Sequence, residues 1–279
     1  MSARFIERCR KAYPALFDTN LHPHCQVKQG DKAAFLATRE QYAFTSTWVA
    51  TAFGLENYGK PYIALLEKVR GQPRPTAPLD EYTQYLFAQG EEFERNAKDV
   101  LYWQLYFAFG DERFWLTDCG TYKMNMCGQA IGASPDGLLF IQHEALGPIS
   151  AYTLEFKCHV SKDEVPHLPQ HHYTQIQTQL LATGLPAAIW IAGCGGGKDF
   201  KMARVDASPD FAVSLEINTD YLMEAARNPT AKHSQVRQTP PDVRVAVMND
   251  YMDASVSRVI RADTLEKLIL HGFSLDSLF

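Results

Sequence analysis

Apolar residues recur at two periods along this chain, and the switch between them separates helical flanks from a strand-rich middle. Over 46–55, Ser46 precedes an apolar run from Trp48 to Phe53 and Gly54 follows it, which predicts a short helix capped by Ser46. A second helix is expected over 62–70. Pro73, Pro75 and Pro78 then break any regular structure, so 71–78 reads as a linker or surface loop. From 80 to about 103, Tyr82, Leu86, Phe93, Ala97, Val100 and Leu101 fall at near-helical spacing among charges. They predict a long amphipathic helix carrying Glu94.

Beyond it the period shortens. The runs 114–117, 137–142, 152–158 and 187–192 are short, apolar or alternating, and bounded by Gly, Pro and polar residues, as strands of one central sheet would be. Between the last two, 172–183 carries Ile176, Leu180 and Leu181 on one helical stripe and stops at Gly184, with Pro186 following. That is a helix packed on the sheet. Later expectations are a helix over 211–227, a polar loop through Pro240 and Pro241, and a helix over 263–271. The order of elements gives an α/β fold, a central mixed sheet flanked by helices, read as a single domain over 1–279.

With 279 residues, 46% of them hydrophobic, the chain can bury a substantial core. It has no run of roughly 20 apolar residues and no apolar signal segment at its polar start, so a soluble intracellular protein with no membrane contact is expected. Six cysteines lie scattered without paired short spacings, which favours reduced, mostly buried thiols. A formal net charge of −5 argues against a protein that coats nucleic acid through overall positive charge, while leaving room for a local basic rim.

The candidate chemistry lies in the strands. Asp136, in Ser134-Pro-Asp-Gly137, stands at a strand start, and Glu155 and Lys157 follow on the next strand, in Leu154-Glu-Phe-Lys157. Side chains alternate faces along a strand, so Glu155 and Lys157 point one way while Leu154 and Phe156 point into the core. Two carboxylates and an ammonium at one sheet edge are what metal-dependent phosphodiester hydrolysis needs. Hard cations take oxygen ligands and keep open positions for the phosphate. Asp136 and Glu155 are the candidate metal ligands, with the backbone carbonyl of Phe156 completing a shell around one of two ions. Lys157 is expected to orient the attacking water and offset charge on the phosphate.

These motifs resemble the lambda-exonuclease family, the YqaJ-like viral recombinases of the PD-(D/E)XK nuclease superfamily. The resemblance covers about residues 39 to 192. Within the single domain it implies a matched core at about 39–206, with 1–38 an N-terminal extension and 207–279 a C-terminal helical addition. It rests on Gly90-Glu-Glu-Phe-Glu94-Arg-Asn-Ala97, on Ser134 to Gly137, on Leu154 to Cys158 and on Gln175-Ile-Gln177. It implies a restriction-endonuclease-like core, Glu94 as a third acidic residue and a possible metal ligand, and Gln175 in the active site. It implies that Arg39, Ser46 and Ser134 bind a 5′-phosphate, in keeping with an anion at the helix N-terminus that Ser46 would cap. The activity implied is 5′ to 3′ degradation of one strand of linear double-stranded DNA, leaving a 3′ overhang for recombination. The cofactor would be Mg²⁺, in two ions, with Mn²⁺ as a substitute. A trimeric, ring-shaped homo-oligomer and a single-strand annealing partner are implied too. The place of action would be the cytoplasm for a phage or bacterial protein and the host nucleus for a virus of eukaryotes. His159 and His172 depart from the family pattern without touching the metal ligands.

Competing readings are an endonuclease with the same core, cutting DNA or RNA internally, and a noncatalytic DNA-binding subunit. His167, His171 and His172, near Cys158 and His159, lack the repeated ligand pair of a zinc site and read as solvated histidines beside a phosphate-binding cleft. Cys194-Gly-Gly-Gly-Lys198 lacks the spacing of a phosphate loop and reads as a hairpin turn.

Overall fold

The computed structural model describes residues 2–27, 31–55, 61–72, 78–144, 147–159, 167–194, 200–228, 241–257 and 260–261. Helix α1 (Ala3–Ala12), a 3₁₀ turn (Pro14–Phe17) and α2 (Lys32–Arg39) lead into β1 (Phe44–Thr45). A second 3₁₀ turn (Ser46–Trp48), α3 (Val49–Ala52), α4 (Tyr62–Val69) and the long α5 (Glu81–Phe109) follow. Then come β2 (Phe114–Thr117), β3 (Tyr122–Met126), β4 (Gln129–Ala133), β5 (Gly137–Gln142) and β6 (Ile149–Cys158). The last elements are α6 (Gln170–Thr183), β7 (Ala187–Gly193), β8 (Phe200–Asp206), α7 (Pro209–Arg227), α8 (Pro241–Ser255) and β9 (Ile260–Arg261).

The expected class is the one found, an α/β fold with a mixed sheet between helices. Six strands order as β2-β5-β6-β7-β8-β9, antiparallel throughout except for the parallel pair β6 and β7. A parallel pair needs a crossover, and α6 supplies it. Alternation then sends successive residues of each strand to opposite cores. Leu139, Ile141, Leu154, Phe156, Ile189 and Ile191 pack with Phe93, Ala97, Leu101 and Leu105 of α5. Leu138, Phe140, Ala188 and Trp190 pack on the other face with Tyr173, Ile176 and Leu180 of α6.

Helix α5 starts where Asp80 accepts the Thr83 N–H at 2.7 Å and runs six residues past the expected end. The stripe Phe93, Ala97, Leu101, Leu105 continues at every fourth position, and the chain turns only at Gly110, where φ is 65°.

A second sheet, ordered β1-β4-β3, was not foreseen. Strand β1 has two residues, and β3 and β4 join through Cys127 and Gly128, whose φ values of 50° and 74° suit a tight hairpin. Cys-Gly is not the Asn-Gly or Asp-Gly pair that announces such a turn. Gly132 in β4 is required, since a Cβ there would lie 2.6 Å from the Tyr42 ring.

Three local expectations need correction. Thr45, not Ser46, stands at the N-cap position before Trp48, and no side chain caps that turn. The polar stretch at Pro241 opens a helix, because proline is tolerated in the first turn, where its missing N–H is no loss. Of the histidines expected to be solvated, His167 is exposed, but His171 and His172 are half-buried, with ring centroids 4.2 Å apart. The expected helix over 263–271, and residues 195–198 of the glycine-rich stretch, lie outside the described residues.

Candidate active site

Strand β5 pairs with β6 only as far as Gly137 opposite Leu154. Asp136 stands immediately before that pair. Its N–H donates to the Leu154 carbonyl at 2.9 Å, and its Oδ2 accepts the Phe156 N–H at 2.7 Å. The carboxylate thus takes the next position of the ladder, where a backbone carbonyl would otherwise serve. In an extended strand a residue's N–H and C=O point to the same edge, so the Phe156 carbonyl faces the Asp136 side.

Glu155 leaves β6 on the α6 side and is fully buried. Its Oε1 accepts from Lys157 and from Gln175 Nε2 (2.6 Å), and its Oε2 accepts from Gln179 Nε2 (2.6 Å). Burial and the neighbouring Asp136 charge push its carboxyl up to about 7, against the pull of Lys157. Burial opposes the Lys157 charge, but Glu155 and Asp136 outweigh it and hold the ammonium above its ordinary value. Its side chain keeps a quarter of its exposure, 25%, an opening toward solvent that Glu155 lacks.

Glu94 approaches from the opposite helix, α5. Its carboxyl is raised by burial and by Asp136, with Lys98 pulling the other way. Lys98 donates to Glu94 Oε1 at 2.7 Å, to Asp118 Oδ1 at 2.9 Å and to the Asp136 carbonyl at 2.7 Å.

The second sheet brings in the remaining candidates. Parallel pairing sets Thr45 beside Gly132, so Ser46 and Ser134 continue from adjacent strand ends. Ser46 is buried, and the Ser134 hydroxyl pairs with Thr121 Oγ1 at 2.8 Å. Arg39 donates to Thr45 Oγ1 at 3.2 Å and to Thr47 Oγ1 at 3.4 Å. Burial lowers its pKa below the ordinary value, with the Glu155 and Asp136 charges pulling the other way.

Asp136, Glu155, Lys157, Glu94 and Gln175 are therefore assembled around one sheet edge, while Arg39 is bonded to the Thr45 and Thr47 hydroxyls at the end of β1. Sequence reading missed Lys98, Asp118, Thr45, Thr47 and Gln179. Gln179 could have been found, because it lies one turn beyond Gln175 on the same face of α6.

Among the described residues, no three His, Cys, Asp or Glu side chains form a ready-made metal cage. The donor set nevertheless fits a hard cation. The Glu155 carboxylate is buried beside Asp136, whose carboxylate is held at the Phe156 N–H, and the Phe156 carbonyl is directed to the same place; a divalent ion would offset the repulsion between the two acids with oxygen ligands alone.

No family model matches the chain, and no curated protein is significantly similar to it. Among solved structures, the chain is similar to an alkaline exonuclease, LHK-Exo, from Laribacter hongkongensis. Identity is 15%, with a TM-score of 0.47, over 77% of this chain and 98% of that one. The structure of LHK-Exo in complex with dAMP gives 15% identity and a TM-score of 0.48 over 78% and 98%.

Proposed function

We propose that the chain is a magnesium-dependent exodeoxyribonuclease. It would degrade one strand of linear duplex DNA from a 5′ end and leave a 3′ overhang. The observation that carries this reading is the meeting of Asp136, Glu155 and Lys157 at the open edge of β6, where the Asp136 carboxylate is held at the Phe156 N–H and Lys157 pairs with Glu155. Asp136, Glu155 and the Phe156 carbonyl would hold the cation, with Glu94 in support. Mg²⁺, or Mn²⁺ in its place, would supply Lewis-acid activation of water and phosphate. Lys157 neutralises charge growing on the scissile phosphate and orients the attacking water. Gln175 keeps the Glu155 carboxylate turned toward the site.

The preference for an end is read from Arg39, Ser46 and Ser134, which would hold a terminal phosphate. Arg39 offers a planar fork for two oxygens. Action on recombining viral or phage DNA, a ring-shaped homo-oligomer and a strand-annealing partner belong to the same reading.

A time course on end-labelled linear duplex with Mg²⁺ tests it. Mononucleotides should appear from the 5′ end, and covalently closed circles should persist. Substrates with 5′-hydroxyl ends should be degraded more slowly than phosphorylated ones. Asp136→Ala should abolish release while the far-ultraviolet circular dichroism stays that of the parent, a loss of several kcal/mol of transition-state stabilisation. Rapid cutting of the circle would instead identify an endonuclease. An Asp136→Ala protein as active as its parent would remove the site from catalysis altogether.

A further inference from the structure

Lys98 belongs to none of the chemical motifs read from the sequence, yet it touches Glu94, Asp118 and the main chain of Asp136. An ammonium has three hydrogens to donate, and all three are engaged, by Glu94 on α5, by Asp118 between β2 and β3, and by the main chain of Asp136. Its side chain is only 19% exposed, and its ammonium lies 5.6 Å from the centroid of the Phe156 ring. Three segments distant in sequence are thereby tied to one atom.

The consequence falls on Asp136. Its N–H and carboxylate are held by β6, through Leu154 and Phe156, while its carbonyl is held by Lys98. The same ammonium holds one oxygen of Glu94. The relation between the two acids is thus set by a shared partner, which a flexible surface ion pair would not do. Lys98 also supplies positive charge where Glu94, Asp118 and Asp136 gather.

We propose that Lys98 is a positioning residue of the hydrolytic centre, locking the Asp136 peptide and the Glu94 carboxylate in register from the α5 side. It acts through those groups and does not touch DNA. This rests on the nuclease reading above.

The test uses the full chain, with folding followed by circular dichroism. Lys98→Met should lower kcat at saturating Mg²⁺ by roughly 10–100-fold and weaken Ca²⁺ binding in calorimetry by about tenfold, as losing an outer-shell partner does. The KM for duplex should stay within about threefold, because no uniform binding contact is removed. Lys98→Arg, which keeps charge and donors, should recover most of the loss. Should Lys98→Met fail to fold, Asp118→Ala carries the test. Asp118 is half exposed, and removing this acceptor from Lys98 should lower kcat severalfold. Parental kcat and Ca²⁺ affinity in folded Lys98→Met, or parental kcat in Asp118→Ala, overturns the inference. A loss confined to KM would place Lys98 on DNA and overturn it equally. An active parent with an indifferent Lys98→Met leaves the nuclease reading standing. A parent without magnesium-dependent hydrolysis removes both.

Discussion

Glu155 is a carboxylate with no exposed surface, and such a group is tolerated only where donors replace water. Lys157 and Gln175 share its first oxygen and Gln179 holds the second. Even so, burial and Asp136 push its carboxyl up to about 7, against the pull of Lys157 and Gln179. Gln179 is the least replaceable of the neutral donors, because its amide also reaches the Ser134 carbonyl at 3.3 Å and joins β6 to the loop that carries Asp136. Gln179→Met should leave Oε2 without a donor. The cost expected is about 1–3 kcal/mol of stability, read by denaturant titration. Initial rates on duplex should fall roughly 10–100-fold, as they do when an orienting partner is lost. A variant with parental rates would mean that Gln175 and Lys157 suffice to aim the carboxylate.

At the scale of elements, strands β2 and β5 and helices α4, α6 and α7 were legible because their apolar periods match the faces they bury. The shared face of Glu155 and Lys157 was legible because alternation along β6 fixes it, and Asp136 because it stands at the start of the strand that pairs with β6. The second sheet was illegible because its ends are secured by contacts far apart in sequence. Its edge strand β3 is covered by the N-terminal segment, where Gly120 and Thr121 donate to the Cys25 and His24 carbonyls at 2.8 and 3.0 Å. His22 Nδ1 accepts the Lys123 N–H at 3.2 Å, and its ring meets Tyr122 edge-on at 5.1 Å. Burial lowers the His22 pKa below its ordinary value. In the unfolded chain this imidazole takes up a proton near pH 6.5, whereas the folded protein resists it. Stability is therefore undiminished above about pH 6.5 and falls as pH drops from there toward the folded pKa. Melting temperatures at about pH 7.5 and 5.5 should diverge less in His22→Asn, which keeps an acceptor and has no titration, than in the parent. Equal slopes in the two proteins would remove His22 as a source of acid sensitivity.

Across the whole molecule, a net charge of −5 and a cluster of carboxylates at the sheet edge both favour cations. Glu155 and Glu94 reach that edge from opposite sides of the sheet, one from β6 on the α6 side and the other from α5, while Asp136 stands at the start of β5. A divalent ion held there would couple elements that only folding brings together. The unfolded chain has no such site, so cation binding becomes folding free energy. At a hundredfold excess over the dissociation constant the gain is about 2.7 kcal/mol. For a chain of this size that corresponds to a rise in melting temperature of roughly 5–10 °C. Calcium, in the absence of DNA, isolates binding from turnover, and monovalent salt at equal ionic strength controls for general screening. The parent should melt higher with Ca²⁺ and return to its metal-free value with a chelator, while Asp136→Ala should respond to neither. If the two proteins gained equally, the ion would be binding elsewhere on an acidic surface. Asp136 and Glu94 would then be held together by their shared partner Lys98 without an ion.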